Sequence, residues 1–213
     1  MLKLIYLAKR KPDLSFDQFV RRWRQHGALG MSQPLWRFAV SYVQAEPLKD
    51  SGIAGVSTEY DAVATYAVDD AMFSEMNDDD MPGALAMAED ELETFSCPIS
   101  DVSLWVQEDV IKAGEPGGIT AYLFYDDLAK AHESANSLGL YDALHRVVLN
   151  RADEGDMAAG NTLPYKAILE ASATSIPALA SALGDHQGNA VVTVVARDTV
   201  LWERRSSDHQ PPR

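Results

Sequence analysis

Short apolar runs bounded by charge alternate with helically spaced apolar residues along this chain. Leu2 to Ala8 is apolar and is followed by Lys9, Arg10 and Lys11, which predicts a strand. Ser15 with Gln18 three residues on is a capping-box signature, and Phe16, Phe19, Val20 and Trp23 then follow at helical spacing. Gly27 and Gly30 suit the end of that helix. Trp36 to Gln44 and Tyr60 to Val68 read as two further strands. Ala84 to Phe95, rich in Ala, Leu, Met and Glu, predicts a second helix, and Val102 to Gln107 a fourth strand. The polar break at residues 77–83 reads as a solvated loop. Its three aspartates lack calcium-loop spacing, which leaves only a weak cation reading.

After Glu115-Pro-Gly-Gly118, which has the composition of a linker, the order repeats. Thr120 to Phe124 reads as a strand, Leu128 to Ser137 as a helix, and His145 to Arg151 and Lys166 to Ser172 as strands. Ile176 to Leu183 then reads as a helix and Ala190 to Trp202 as a final strand. Each half is therefore strand, helix, strand, strand, helix, strand, the ferredoxin-like unit. Four residue matches support a duplication: Ile5-Tyr6-Leu7 with Ala121-Tyr122-Leu123, Trp36-Arg37 with His145-Arg146, Tyr60-Asp-Ala62 with Tyr165-Lys-Ala167, and Asp101 to Trp105 with Asp198 to Trp202. The predicted fold class is α+β, with repeats at residues 1–114 and 115–205 and a disordered tail at 206–213. Several strands are apolar on both faces, so a bare sheet is excluded. The expected solution packs the two sheets together as an intramolecular α+β barrel.

Charge and composition narrow the function. The formal net charge of −14 opposes nucleic acid or an anionic membrane as partner, despite the basic groups at residues 9–11 and 21–24. One cysteine, Cys97, excludes an internal disulfide and fits a reducing compartment, with the role of a small buried hydrophobe. No stretch reaches the roughly 20 apolar residues of a membrane span, and the expected location is the cytoplasm. No Gly-rich phosphate loop or nucleophile elbow is present, and no histidine pair has metal-ligand spacing. Neither a metal nor a cofactor is expected.

Lys3 to Pro12, then Leu14-Ser-Phe-Asp-Gln-Phe19, then Trp23-Arg-Gln-His26 resembles the EthD domain of the dimeric α+β barrel superfamily, as does Tyr60-Asp-Ala-Val63. The resemblance covers roughly residues 2–111. Where the family often follows this histidine with Ala-Pro, this chain has Gly27-Ala28. The resemblance implies the barrel fold; relatives include cyclases, dehydratases, lactone isomerases and cofactor-free monooxygenases.

His26 is the leading candidate for proton transfer, its ordinary pKa lying near neutrality. The plainer role is a helix C-cap. Asp61, a carboxylate in an apolar strand, either orients His26, binds substrate, or turns outward to Lys or Arg. Tyr6, Trp23, Trp36, Tyr42, Tyr60, Tyr66 and Trp105 are candidates to line a pocket for an aromatic or polyketide-like molecule. Arg37 is a candidate for a substrate carboxylate. Those residues point to a cofactor-independent lyase or isomerase, acting as a monomer or homodimer on a small apolar substrate. The alternative is a non-catalytic binding or stress-response module. A third reading, a haem protein, requires a histidine as proximal ligand.

Overall fold

The strands close on one another because they carry two apolar faces. The computed structural model describes residues 2–155, 157–184 and 189–204. Its elements in chain order are β1 (Leu2–Ala8), α1 (Phe16–Met31), β2 (Ala39–Pro47), β3 (Ala62–Val68), α2 (Ala71–Glu75), α3 (Met81–Thr94), β4 (Ser103–Lys112), β5 (Gly118–Tyr125), α4 (Leu128–Gly139), β6 (Leu144–Ala152), β7 (Ala167–Ala173), α5 (Ile176–Leu183) and β8 (Val192–Glu203). The strands form a closed barrel in the order β1-β3-β2-β8-β5-β7-β6-β4, with every neighbouring pair antiparallel. The first four strands run β4-β1-β3-β2 and the last four run β8-β5-β7-β6. The seams between these sheets are β2–β8 and β6–β4.

Alternation along each strand sorts side chains into two layers. Ile5, Leu7, Val63, Leu104, Val106, Phe124, Ile168 and Val194 point into the lumen and pack as one cluster drawn from both halves. Their neighbours face the helices. Tyr6, Ala62, Ala64 and Tyr42 meet Phe19 and Trp23 of α1, while Leu123, Leu149, Leu169 and Val195 meet Ala131, Ala135 and Leu138 of α4 and Leu179 of α5. Both strand faces are thereby buried, as the apolar runs require.

Several predicted boundaries move. Helix α1 runs past Gly27 and Gly30 to Met31 and is capped by Ser32. The glycines mark close approach: a Cβ on Gly27 would lie 3.0 Å from Gln44 Nε2 and 3.1 Å from Tyr42 Cε1. Pro34 to Phe38 is a 3-10 turn that Pro34 initiates, so Trp36 and Arg37 precede β2. Tyr60 and Asp61 precede β3. Helix α3 begins at Met81 with Pro82 in its first turn, within the expected loop. In that loop Asp80 is buried and pairs with Arg37 rather than facing solvent. β4 extends to Lys112, and the positive φ of Gly117 (108°) and Gly118 (94°) turns the chain into β5. The tail at 206–213, His186 and His209 lie outside the described residues.

Strand register tests the residue matches. Ala8 pairs with Ala62 and Tyr125 pairs with Ala167. The Tyr60–Ala62 match, carried through these pairings, sets Ala8 against Tyr125, an offset of 117 (125 − 8), which disagrees with the 116 of the Tyr6–Tyr122 match. One residue reverses the face: Tyr6 looks at the helices, whereas Tyr122 looks into the lumen. Trp36-Arg37 lies in a turn and His145-Arg146 in a strand. Trp105 is near the start of β4, while Trp202 is near the end of β8.

Candidate functional site

The capping box sets the start of α1: Ser15 Oγ accepts from the Gln18 backbone N–H, and Gln18 Oε1 accepts from the Ser15 N–H. From that start Phe19, Trp23, His26, Gly27 and Gly30 recur on one buried stripe. Trp23 stacks on Phe19 with centroids 5.5 Å apart, and its indole N–H donates to Tyr6 Oη at 2.7 Å. Gln44 Nε2 donates to Tyr42 Oη (2.7 Å) and to the Trp23 carbonyl (2.9 Å), tying the sheet to the helix.

Beyond Trp23 the helix and sheet separate and enclose a cavity of about 290 Å³. The sheet contributes Leu4, Tyr6, Tyr42 and Tyr66. His26, Gly27 and Gly30 come from α1, and Gln33, Leu35 and Trp36 from the following turn. Met72 of α2 and Ala84, Met87 and Glu91 of α3 form the outer wall, with Ile99 beside them. Gly27 and Gly30 keep the α1 wall thin. The Trp36 indole Nε1 is buried without a partner among the described residues, and the rings of Trp36, Tyr66 and Tyr42 form a triangle with centroids 5.5, 5.7 and 6.0 Å apart. A largely apolar, aromatic hollow with a few polar groups is the general form of a small-molecule site.

His26 lies on the cavity wall, about 5% exposed, with its ring edge-on to Phe95. Its Nδ1 is 2.8 Å from Asp90 Oδ2 on α3, and the other Asp90 oxygen accepts from Arg22. Among the described residues no protein group bonds Nε2. Burial pushes the His26 pKa below its usual 6.5, outweighing the opposing effect of Asp90. Burial alone would raise Asp90, but Arg22 and His26 hold it below its ordinary value. Glu91, on the same wall, is raised by burial despite accepting from the Ile99 backbone N–H at 3.0 Å. Burial also pushes up the tyrosines, Tyr66 to about 12, so all three hydroxyls stay protonated.

The structure brings together His26, Tyr6, Trp36, Tyr42 and Tyr66, and it places the other candidates elsewhere. Trp23 supports Tyr6 from beneath without lining the cavity. Arg37 is on the surface, forked onto Asp80. Tyr60 packs at the apolar end of the barrel lumen under Lys9. Trp105 meets Phe73 outside the cavity. Asp61 is the main correction: it takes Arg10 Nη1 (2.6 Å), Lys49 Nζ (2.7 Å) and the Arg10 N–H (3.1 Å), the outward alternative, and it does not touch His26. The carboxylate that His26 uses is Asp90, 64 positions away and unmarked in the sequence. Met72, Met87 and Glu91 were equally invisible, since their helices carry no motif. The cavity at His26 is too small for a porphyrin and Nδ1 is held by Asp90; among the described residues no histidine lines the larger cavities of about 900, 660 and 360 Å³.

No protein-family model matches the sequence, and no curated protein matches it. Solved structures do resemble it. A candidate monooxygenase from Lactobacillus acidophilus NCFM aligns with a TM-score of 0.53 at 9% identity, covering 93% of this chain and 94% of that one. A candidate chlorite dismutase, TA0507, gives 0.55 at 8% identity over 93% and 94%. A mutant chlorite dismutase from Candidatus Nitrospira defluvii gives 0.50 at 8% over 93% and 91%. At such identities the likeness shows that this chain shares their fold and nothing further.

Proposed function

We propose that the chain is a cofactor-independent enzyme of the lyase or isomerase type, moving a proton on a small aromatic or polyketide-like molecule held in the cavity beside His26. The observation that carries this reading is the His26–Asp90 pair on the wall of an aromatic hollow. A neutral imidazole at pH 7 has a free lone pair. With Nδ1–H donated to Asp90, that lone pair is on Nε2, available to a C–H or O–H of a bound molecule. As the proton moves, Asp90 stabilises the imidazolium and keeps its orientation. Tyr6 and Tyr42, whose hydroxyls bond each other, can direct one O–H to a carbonyl whose oxygen gains charge, and His26 can return the proton it took. Trp36 offers a stacking face and an unused N–H. This reading takes the barrel as two fused ferredoxin-like repeats, the first of EthD type. It is supported by the strand order common to both halves and by the Trp23 to His26 spacing.

Deuterium incorporation into 2-tetralone in D2O tests the proposal without knowledge of the natural substrate. Acid–base catalysis contributes roughly 10²–10⁴-fold, so the wild type should exchange the acidic C–H at least about a hundredfold faster than His26→Ala. Binding, followed by intrinsic tryptophan fluorescence, to which Trp36 on the cavity wall contributes, should survive in both. Tight binding with no exchange by the wild type would instead favour a binding module.

A further inference from the structure

The lumen of the barrel is polarised along its axis. One end is filled by Leu7, Leu104, Phe124 and their neighbours. At the other end is a cavity of about 360 Å³, roofed by residues 113–117 and lined by charged side chains that the His26 site does not use. Lys3 Nζ donates to Glu108 (2.7 Å) and Glu170 (2.5 Å), and Arg146 Nη1 donates to Glu170 at 3.1 Å with Nη2 3.7 Å from Glu108. Two cations and two carboxylates thus neutralise one another. Burial alone would raise Glu170, but Lys3 and Arg146 hold it below its ordinary value.

Asp198 is the charge left over. It faces the same cavity from β8 and is bonded only by hydroxyls: Thr120 Oγ1 donates at 2.6 Å and Tyr122 Oη at 3.0 Å. Among the described residues no cation bonds it: Lys3 and Arg146 are engaged by the two glutamates, and Arg204, which lines the cavity beside Glu203, is held by Asp69. We propose that this mouth of the lumen binds a small organic cation, an alkylammonium or guanidinium group, with the Asp198 carboxylate as its counterion. A carboxylate on a cavity wall that holds two hydroxyl donors and no bonded cation, with Arg146 acting on it only through space, is the complement of such a head group. The cavity has room for a short alkyl chain beside Val43, Val110 and Val200. The net charge of −14 favours approach of cations to the open mouth. Without ligand, burial and the nearby Glu170 charge push Asp198 up to about 7, against the Thr120 hydroxyl bond. A cation therefore binds at the expense of a proton.

Isothermal titration calorimetry with n-propylammonium and with propylguanidinium, in two buffers of different ionisation enthalpy, tests this. The expected result is saturable 1:1 binding, roughly tenfold tighter at pH 8 than at pH 6. Close to one proton should be released per ligand at pH 6 and almost none at pH 8. Propionate should not bind. Asp198→Asn should lose the site, whereas His26→Ala should retain it because His26 is outside the barrel wall. Absence of saturable binding at pH 8, binding without proton release by the wild type, or equal binding by a folded Asp198→Asn would each overturn the proposal. The proton count on the wild type decides the matter if that variant does not fold.

Discussion

His26 Nδ1 and Asp90 Oδ2 lie 2.8 Å apart across the α1–α3 contact, making one ring nitrogen structural and leaving the other to the cavity. The pairing fixes how the imidazole titrates. Asp90 raises the His26 pKa while burial and Arg22 lower it. Asp90→Asn should therefore move the His26 titration, followed by NMR of the ring protons, below its wild-type position. A titration unchanged or moved upward would show that the two groups do not interact.

The same shift links His26 to stability. Its folded pKa lies below the unfolded value of 6.5, so below about pH 6.5 the unfolded chain binds the proton that the native state refuses. Stability supported by neutral His26 is full above that pH and is lost as pH falls through the folded pKa. Between pH 7 and pH 5 the urea midpoint of the wild type should fall relative to that of His26→Gln. Parallel midpoints would contradict the assignment.

Gly27 and Gly30 share a helix face but should respond oppositely to alanine. A methyl group at Gly27 would lie 3.0 Å from Gln44 Nε2, 3.1 Å from Tyr42 and 3.2 Å from Leu201, inside an interlocked layer. That overpacking should cost about 1–3 kcal/mol, more than the roughly 1 kcal/mol of helix propensity regained. At Gly30 the nearest atom is the flexible end of Met87, at 3.3 Å. Gly30→Ala should be neutral or slightly stabilising while narrowing the cavity, which thermal melts and ligand affinity would separate.

Asp61→Ala should destabilise by roughly 1–3 kcal/mol, because Arg10, Lys49 and the Arg10 backbone N–H lose the buried acceptor they share. Affinity for 2-tetralone should not change, since Asp61 is remote from the His26 cavity. A variant that folds normally and loses affinity would return Asp61 to the site.

The fold was legible where burial dictates pattern. Strands apolar on both faces demanded cover on both, and helical spacing brought Trp23 and His26 to one side. Local chemistry was less legible. Trp36 looked like a strand residue until Pro34 imposed its turn, and Gly27 looked like a helix end although it serves packing. The partner of His26 was hidden because pairing across helices depends on three-dimensional register, which no spacing along the chain encodes. Lys3, Glu170 and Asp198 did carry a signal, as charges at inward positions of apolar strands. Asp61 read as the same signal, but it precedes β3 and is a buried carboxylate clamped by Arg10 and Lys49.

The helix layers on the two sides of the barrel are not equivalent. On one side α4 and α5 press Ala131, Ala135, Leu138 and Leu179 directly onto the strands; on the other, α1 and α3 stand off around the 290 Å³ cavity. Joined in a single chain, the two flanks are free to diverge, so the solid flank acts as ballast for the hollow one. Truncations beneath α4 should threaten folding, while those around Met72 and Met87 should mainly reshape what the protein admits.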